Sequence, residues 1–136
     1  MIQTYQGGCH CGAIRYQADL DLDEKIGRCN CSMCTKTSTA GLTIKPPAFK
    51  LLRGEENLVD YSRGPHSHFR FCRTCGIQTH GHGHIPEVGG DYVSINVNTI
   101  DDVDPATLAY MYWDGRHNNW GAGPRDTPWP VKTSDS

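Results

Sequence analysis

The chain has 136 residues, a formal net charge of −2 and seven cysteines. Its length is typical of one domain large enough to bury a core, and its charge argues against a nucleic-acid or anionic membrane partner. Its apolar runs are too short for a membrane-spanning helix, and the N-terminus lacks a secretory signal pattern. We therefore predict a single cytoplasmic domain over residues 1–130, followed by a mobile C-terminal tail over 131–136.

Alternation of apolar and polar residues predicts a mainly β protein. The candidate strands, in chain order, are 14–18, 42–44, 49–53, 58–62, 67–72, 92–97 and 108–113. The turn-like Gly54-Glu55-Glu56 predicts that strands 49–53 and 58–62 pair as a hairpin. A short helical turn is expected after Cys31, through Lys36, and no longer segment has a helical period.

The cysteines carry the strongest functional information. They occur as the pairs Cys9/Cys11 and Cys72/Cys75 and as the triplet of Cys29, Cys31 and Cys34. An odd count and these short spacings argue against a secreted disulfide framework. Thiolate-bound metal in a reducing compartment fits the pattern better.

Seven sulfurs cannot complete two four-cysteine sites, so a partition of four plus three is the natural one. The two pairs would hold one structural zinc and tie the N-terminal strands to the middle of the chain. Each pair is followed by a glycine, Gly12 or Gly76, which can supply the positive φ that such a turn often needs.

The triplet would hold a second zinc with three protein ligands and one exchangeable position, the pattern of catalytic zinc. A small thiol at that position would be deprotonated and become a nucleophile for an electrophilic carbon. Three thiolates leave such a site at a net charge of about −1, which makes metal-hydroxide hydrolysis less natural than thiolate chemistry.

Two alternatives apply to the triplet. A histidine could close it as a second structural site, with His10 or one of the alternating histidines His80, His82 and His84 as candidates. The three cysteines could instead act as metal-free redox thiols. The three alternating histidines would share one face of a strand, although their Gly-rich context favours a loop.

Three motifs resemble one known family: "GGCHCGAIRY" at 7–16, "CNCSMC" at 29–34 and "FCRTCG" at 71–76. This is the glutathione-dependent formaldehyde-activating enzyme family, which shares its domain with centromere protein V. The resemblance implies a β-tent-like fold of short antiparallel sheets held together by two zinc ions. It also implies a carbon–sulfur lyase that, in reverse, condenses formaldehyde with glutathione.

Carried over residue by residue, the resemblance assigns each cysteine to one of the family's two zinc ions. It assigns structural zinc to Cys9, Cys11, Cys72 and Cys75, and catalytic zinc to Cys29, Cys31 and Cys34.

The C-terminal third departs from the family pattern. Many members have a His-Ile pair, then a serine and a tryptophan, whereas this chain has Met111-Tyr112 followed by "WDGRHNNW", with Trp120 as the matching tryptophan. Candidate substrate-binding residues are Arg116 for a carboxylate, Asn118 for an amide and Trp120 as a flat wall. The alternative is a polar turn whose tryptophans belong to the core.

His10, between two ligand candidates, could act as a base or orient a ligand, or could simply face solvent.

Three functions fit these features. The first is a zinc-dependent carbon–sulfur lyase-type enzyme that joins a glutathione-like thiol to an aldehyde-type carbon. The second is a non-catalytic binding module in which both metals are structural. The third is a redox enzyme that uses the triplet without metal. The expected partner is a small thiol, with no nucleic acid or membrane partner.

Overall fold

Ten strands and one α-helix form the described part of the chain, residues 1–132, in a computed structural model. The elements are β1 (Gln3–Gly8), β2 (Arg15–Leu20), β3 (Ile26–Cys29), α1 (Ser32–Thr37), β4 (Gly41–Ile44), β5 (Phe49–Arg53), β6 (Leu58–Ser62), β7 (Ser67–Cys72), β8 (Gln78–Ile85), β9 (Gly90–Asn96) and β10 (Tyr110–Trp113). The mainly β prediction is confirmed, and the predicted helical turn is α1. Sequence patterning missed β1, β3 and β8.

The strands form two sheets. A three-stranded sheet has the order β1-β2-β5, and a seven-stranded sheet has the order β10-β3-β4-β9-β8-β7-β6. The pairings are antiparallel except between β3 and β10, which run parallel, so the second sheet is mixed. The parallel pair places the ends of β3 and β10 side by side, with Cys29 opposite Trp113.

The prediction that strands 49–53 and 58–62 pair as a hairpin is wrong, because the two strands belong to different sheets. β5 pairs with β2, and β6 pairs with β7. The chain changes sheet at Gly54, whose φ of 95° lies in the left-handed region. A Cβ at Gly54 would lie 2.3 Å from the carbonyl oxygen of Ala13, so this turn packs directly against the backbone that leads into β2.

The main core lies between the sheets. From the small sheet, β2 contributes Tyr16, Ala18 and Leu20, and from the large sheet β4 and β9 contribute residues such as Leu42 and Ile95. Side chains alternate along a strand, so residues next to Leu42 and Ile95 in sequence point to the opposite, outer face of the large sheet.

The alternating histidines lie on a strand, β8, and the loop expectation for them is wrong. The glycines between these histidines, Gly81 and Gly83, do not form a loop; they allow the neighbouring backbone to approach β8 closely. A Cβ on Gly81 would lie 2.6 Å from the His68 carbonyl oxygen, and one on Gly83 would lie 2.2 Å from that of His66. His80 packs on Phe49 of the small sheet, with ring centroids 4.7 Å apart, so it faces the inside.

Burial of His80, together with the charges of Arg70 and His82, lowers its pKa to about 3. An unfolded histidine has a pKa of about 6.5, so below that pH the unfolded chain gains a proton that the folded chain does not bind. We therefore expect His80 to lower the free energy of unfolding by about 2 kcal/mol between pH 7.5 and pH 5.

Urea unfolding of the parent protein and of His80→Gln at both pH values measures this contribution. The variant should have the smaller pH dependence, and equal slopes for the two proteins would contradict the prediction.

The segment after β10 returns to the large sheet. The Trp129 indole N–H donates to the Tyr112 carbonyl over 2.9 Å, and the Arg125 guanidinium lies 3.8 Å from the Trp129 ring centroid. These contacts pack Trp129 against the end of β10. Of the predicted tail over 131–136, positions 133–136 lie outside the described residues. In residues 1–132, no helix has the length and hydrophobicity needed to cross a membrane.

Candidate metal centres and the adjoining groove

The first cysteine cluster joins the β1–β2 turn to the turn after β7. The ligand sulfurs of Cys9, Cys11, Cys72 and Cys75 all lie within 4.8 Å of one another. The Cys11 sulfur is 3.6 Å from those of Cys9 and Cys72. Four sulfurs around a tetrahedral zinc at about 2.3 Å would be separated by roughly 3.8 Å. The donor set therefore fits a closed four-thiolate ion.

Two of these sulfurs accept hydrogen bonds from amide groups. The Ile14 amide donates to Cys9 Sγ over 3.3 Å, and the Asn57 side-chain amide donates to Cys72 Sγ over 3.1 Å. Burial raises the pKa of Cys72, but the amides of Cys75 and Thr74, together with contacts from the Cys11 and Cys75 thiols, outweigh this effect and lower the pKa to about 6.

The glycines that follow the two pairs have the predicted conformation. Gly12 has a φ of 82° and Gly76 a φ of 79°, both left-handed. A side chain at either position would be strained, whatever space surrounds it.

The second cluster lies at one end of the large sheet. Cys29 ends β3, Cys31 caps α1 and Cys34 is in the first turn of that helix. Their three sulfurs also lie within 4.8 Å of one another, and all three residues are half-buried. Within residues 1–132 no histidine, aspartate or glutamate joins either group, so this cluster has three protein ligands where the first has four.

Within the triplet, Cys29 is the thiol prepared to lose its proton. A hydrogen bond from the Cys34 thiol, followed by amide and thiol contacts from Cys31, lowers the pKa of Cys29 to about 5 despite its burial. The same Cys29–Cys34 contact raises the pKa of Cys34. The Cys31 amide donates to Cys29 Sγ and the Cys34 amide to Cys31 Sγ, each over 3.4 Å. The donor chemistry thus fits a thiophilic ion such as zinc.

The segment after β10, residues 114–119, closes over the triplet. Asn30, between two of the cysteines, donates from its side-chain amide to Asp114 over 2.7 Å and accepts from the Arg116 amide over 3.0 Å. Gly115 lies directly on Cys29, because a Cβ there would be 2.5 Å from the sulfur.

Asp114 is the buried centre of this segment, with 5% of its surface exposed. Its carboxylate accepts from Asn30, from the His117 ring over 2.7 Å and from the Asn119 amide over 3.3 Å. Burial raises the pKa of Asp114, but these hydrogen bonds outweigh it and hold the pKa below its ordinary value. A charged, fully bonded Asp114 therefore fixes the segment against the cysteines.

A groove with a volume of about 530 Å³ runs along the outer face of the large sheet and begins at Cys29 and Cys34. Its floor contains the small residues Gly27, Gly41 and Ser94, which alternate with core residues along their strands. Apolar lining side chains stand at both ends: Met111, Trp113 and Trp120 near the cysteines, and Phe69 and Tyr92 farther along.

The predicted substrate-binding residues occupy different places. Trp120 lines the groove and is 51% exposed, with its ring 5.9 Å from that of Trp113. Arg116 and Asn118 lie outside the groove on the exposed surface of the 114–119 segment. His10 is exposed at the four-cysteine cluster and also lies outside the groove.

Arg116 uses its Nε–H to reach the Asn30 carbonyl over 2.8 Å. This contact holds the arginine beside the triplet.

Sequence reasoning missed Asn30, Asn57 and the glycine floor of the groove. Asn30 and Asn57 support sulfurs or the segment over them, and their partners are distant in sequence. For Asn30, its position between two cysteines was an available signal. Nothing in the sequence around Gly27 or Gly41 distinguishes a groove floor from an ordinary strand.

Two comparisons with known proteins match the chain over most of its length. The sequence model of the glutathione-dependent formaldehyde-activating enzyme family matches residues 4–114. A crystal structure of a Rhodobacter sphaeroides protein has 32% sequence identity and a TM-score of 0.70, and the match covers 79% of this chain and 98% of that one. The chain therefore belongs to this family, as its motifs indicated, and membership suggests a glutathione-related, formaldehyde-activating function.

Proposed function

We propose that this family member is a zinc-dependent carbon–sulfur lyase-type enzyme. It binds a small, glutathione-like thiol beside Cys29, Cys31 and Cys34 and forms or breaks a bond between the thiol sulfur and an aldehyde-type carbon. One observation carries the proposal: the triplet supplies three sulfurs and opens on a groove, whereas the other cluster supplies four.

The proposed reaction needs no oxidant or reductant. The thiol sulfur adds to the carbonyl carbon, the π electrons of the C=O bond move to oxygen, and that oxygen takes the proton that the thiol released. A zinc ion held by the triplet would supply an exchangeable position at which a thiol is deprotonated at neutral pH. The reverse process breaks the C–S bond and returns the aldehyde.

The chain's residues divide the remaining tasks. In the proposal, Cys9, Cys11, Cys72 and Cys75 hold a structural zinc, which makes two ions per chain.

The guanidinium Nη groups of Arg116 are directed to a carboxylate of the thiol, since only its Nε–H and backbone amide have protein partners among the described contacts. Asn118 serves an amide of the same reactant, and Trp120 separates this polar side from the groove. His10 lies between two ligands of the structural ion and outside the groove, so in this proposal it does not contact the thiol.

The proposed compartment is the cytoplasm. All seven cysteines are free thiols rather than disulfides, and a reducing compartment would keep them available to metal.

Cobalt substitution tests the proposal, because thiolate-bound Co²⁺ has an absorption spectrum that changes with its ligands. In protein loaded with two cobalt ions, added glutathione should change the spectrum of one ion and leave the other unchanged. Cys31→Ser should stay folded and lose this change, while the neighbouring Ser32→Ala should keep it. A spectrum unchanged by any thiol would favour a non-catalytic binding module, and activity that survives metal removal would favour a redox enzyme.

A further inference from the structure

The groove beside the triplet is much larger than the smallest aldehyde requires. A liquid water molecule occupies about 30 Å³, so an aldehyde of two heavy atoms takes up on the order of 50 Å³. The groove volume is about 530 Å³. It passes from β3 over β4, β9 and β8 to β7, which is four strand spacings or roughly 19 Å.

The groove is also poor in charge. Within the described part of the chain, its charged lining residues are Glu24, Lys25 and Arg28. Lys25 is paired with Asp126 over 2.8 Å, and the Arg28 guanidinium lies 4.8 Å from the Tyr110 ring centroid. Arg28 has no carboxylate partner among the described residues, but it stands on β3, at the end of the groove nearest the cysteines. A carboxylate farther along, over β4, β9 and β8, would lose water without gaining a cationic partner, which is unfavourable.

The histidines of β7 and β8 do not change this conclusion. His80 faces the small sheet. His68 and His82 both belong to the groove lining, and their rings stack on each other with centroids 4.5 Å apart. His68 is already paired with Asp60 over 2.8 Å, and burial lowers the pKa of His82, so neither ring offers an unpaired cation to a carboxylate. Aromatic and small side chains therefore dominate the surface that a ligand would meet.

We propose that the carbonyl reactant of this enzyme carries an aromatic or similarly flat apolar group, which lies on the floor of Gly27, Gly41 and Ser94 beside Trp113. The charged thiol then lies on the Arg116 side, and the two reactants meet at the triplet. This inference rests on the proposed function for the reaction itself. The binding of the apolar group is a property of the groove and can be measured separately.

Gly27 offers a direct way to fill the groove. A Cβ at this position would meet its nearest neighbours at 3.6 Å (the Gly41 carbonyl oxygen) and 3.7 Å (Trp113 Nε1), which are ordinary contacts. Valine is favoured in strands, so Gly27→Val should preserve β3 while its side chain occupies the floor. Ser94→Leu on β9 fills the same space from a strand that carries no cysteine.

The experiment uses benzamide, an unreactive stand-in for benzaldehyde, and the zinc-loaded protein. Benzamide should quench the fluorescence of the tryptophans that line the groove, and both Gly27→Val and Ser94→Leu should raise its Kd by about tenfold or more. Gly121→Ala is the matched control, because a Cβ there meets nothing within 4 Å. Metal content and thermal unfolding identify any variant that has lost its fold.

A kinetic comparison completes the test. With glutathione as the thiol, the ratio of kcat/KM for benzaldehyde to that for formaldehyde should fall by about tenfold or more in the two groove variants. Absence of benzamide binding to the parent protein, or equal binding to the parent and to both groove variants, would overturn the inference. Failure of the proposed function has a different signature, a cobalt spectrum that no thiol changes, whether or not benzamide binds.

Discussion

Replacement of Cys72 by serine should leave a protein with no cooperative unfolding transition at neutral pH. Cys72 is completely buried, and its sulfur joins the turn after β7 to the β1–β2 turn, 61 residues away in sequence. Apparent binding free energies of structural zinc in small peptides are roughly 10–16 kcal/mol. The total stability of a domain is about 5–15 kcal/mol. Loss of one of four ligands at this position therefore removes an interaction as large as the whole net stability.

Circular dichroism during heating, with metal analysis of the same sample, measures the effect. Arg73→Ala is the control, because Arg73 is exposed in the same turn and contributes its backbone amide, not its side chain, to the Asn57 carbonyl. The control should melt with the parent. A Cys72→Ser protein that retains two ions and melts within about 5 °C of the parent, a shift of roughly 1 kcal/mol, would show that the first cluster is not structural.

The grouping of the cysteines illustrates what local sequence can specify. A pair such as Cys72 and Cys75 directs two sulfurs to one point through its own turn, and Gly76 supplies the conformation that this turn requires. These are short-range geometric constraints, so the spacing already contains them. The strand that carries Val93 and Ile95 was predictable for the same reason, because alternation with period two is local.

The path of the chain between elements was not predictable in this way. Gly54 looks like the tip of a hairpin, but its close packing against Ala13 carries the chain from one sheet to the other. Gly81 and Gly83 look like loop glycines, yet they are in a strand because neighbouring backbone comes too close for a Cβ. Such contacts join residues far apart in sequence, and local pattern cannot distinguish a flexible glycine from a crowded one.

The candidate site depends on the same kind of distant contact. Its sulfurs come from residues 29–34, but the surface that covers them comes from residues 114–119, positioned by Asn30 and Asp114. This segment lies where the chain departs from the family pattern. The cysteines and the residues that surround them can therefore vary separately, which is why we infer substrate class from the groove rather than from the cysteines.

Replacement of Gly115 by alanine should disable the triplet and leave the rest of the fold intact. The added Cβ would lie 2.5 Å from Cys29 Sγ and 2.7 Å from Trp120 Cη2, distances at which the segment or the sulfur must move. Changes to groups that orient metal ligands typically reduce metal affinity by about 10–100-fold. We expect a loss of this size at the triplet, with the four-cysteine cluster still filled.

Competition with a chelator, followed by metal analysis, should therefore release one ion from Gly115→Ala at a chelator concentration that leaves two in the parent. Gly121→Ala, six residues further along and with no atom within 4 Å of its added Cβ, should behave as the parent does. The glutathione-induced change in the cobalt spectrum should weaken together with affinity for the ion, since both depend on the position of Cys29. If Gly115→Ala holds both ions as tightly as Gly121→Ala, the 114–119 segment does not position the triplet, and the sulfurs are held by β3 and α1 alone.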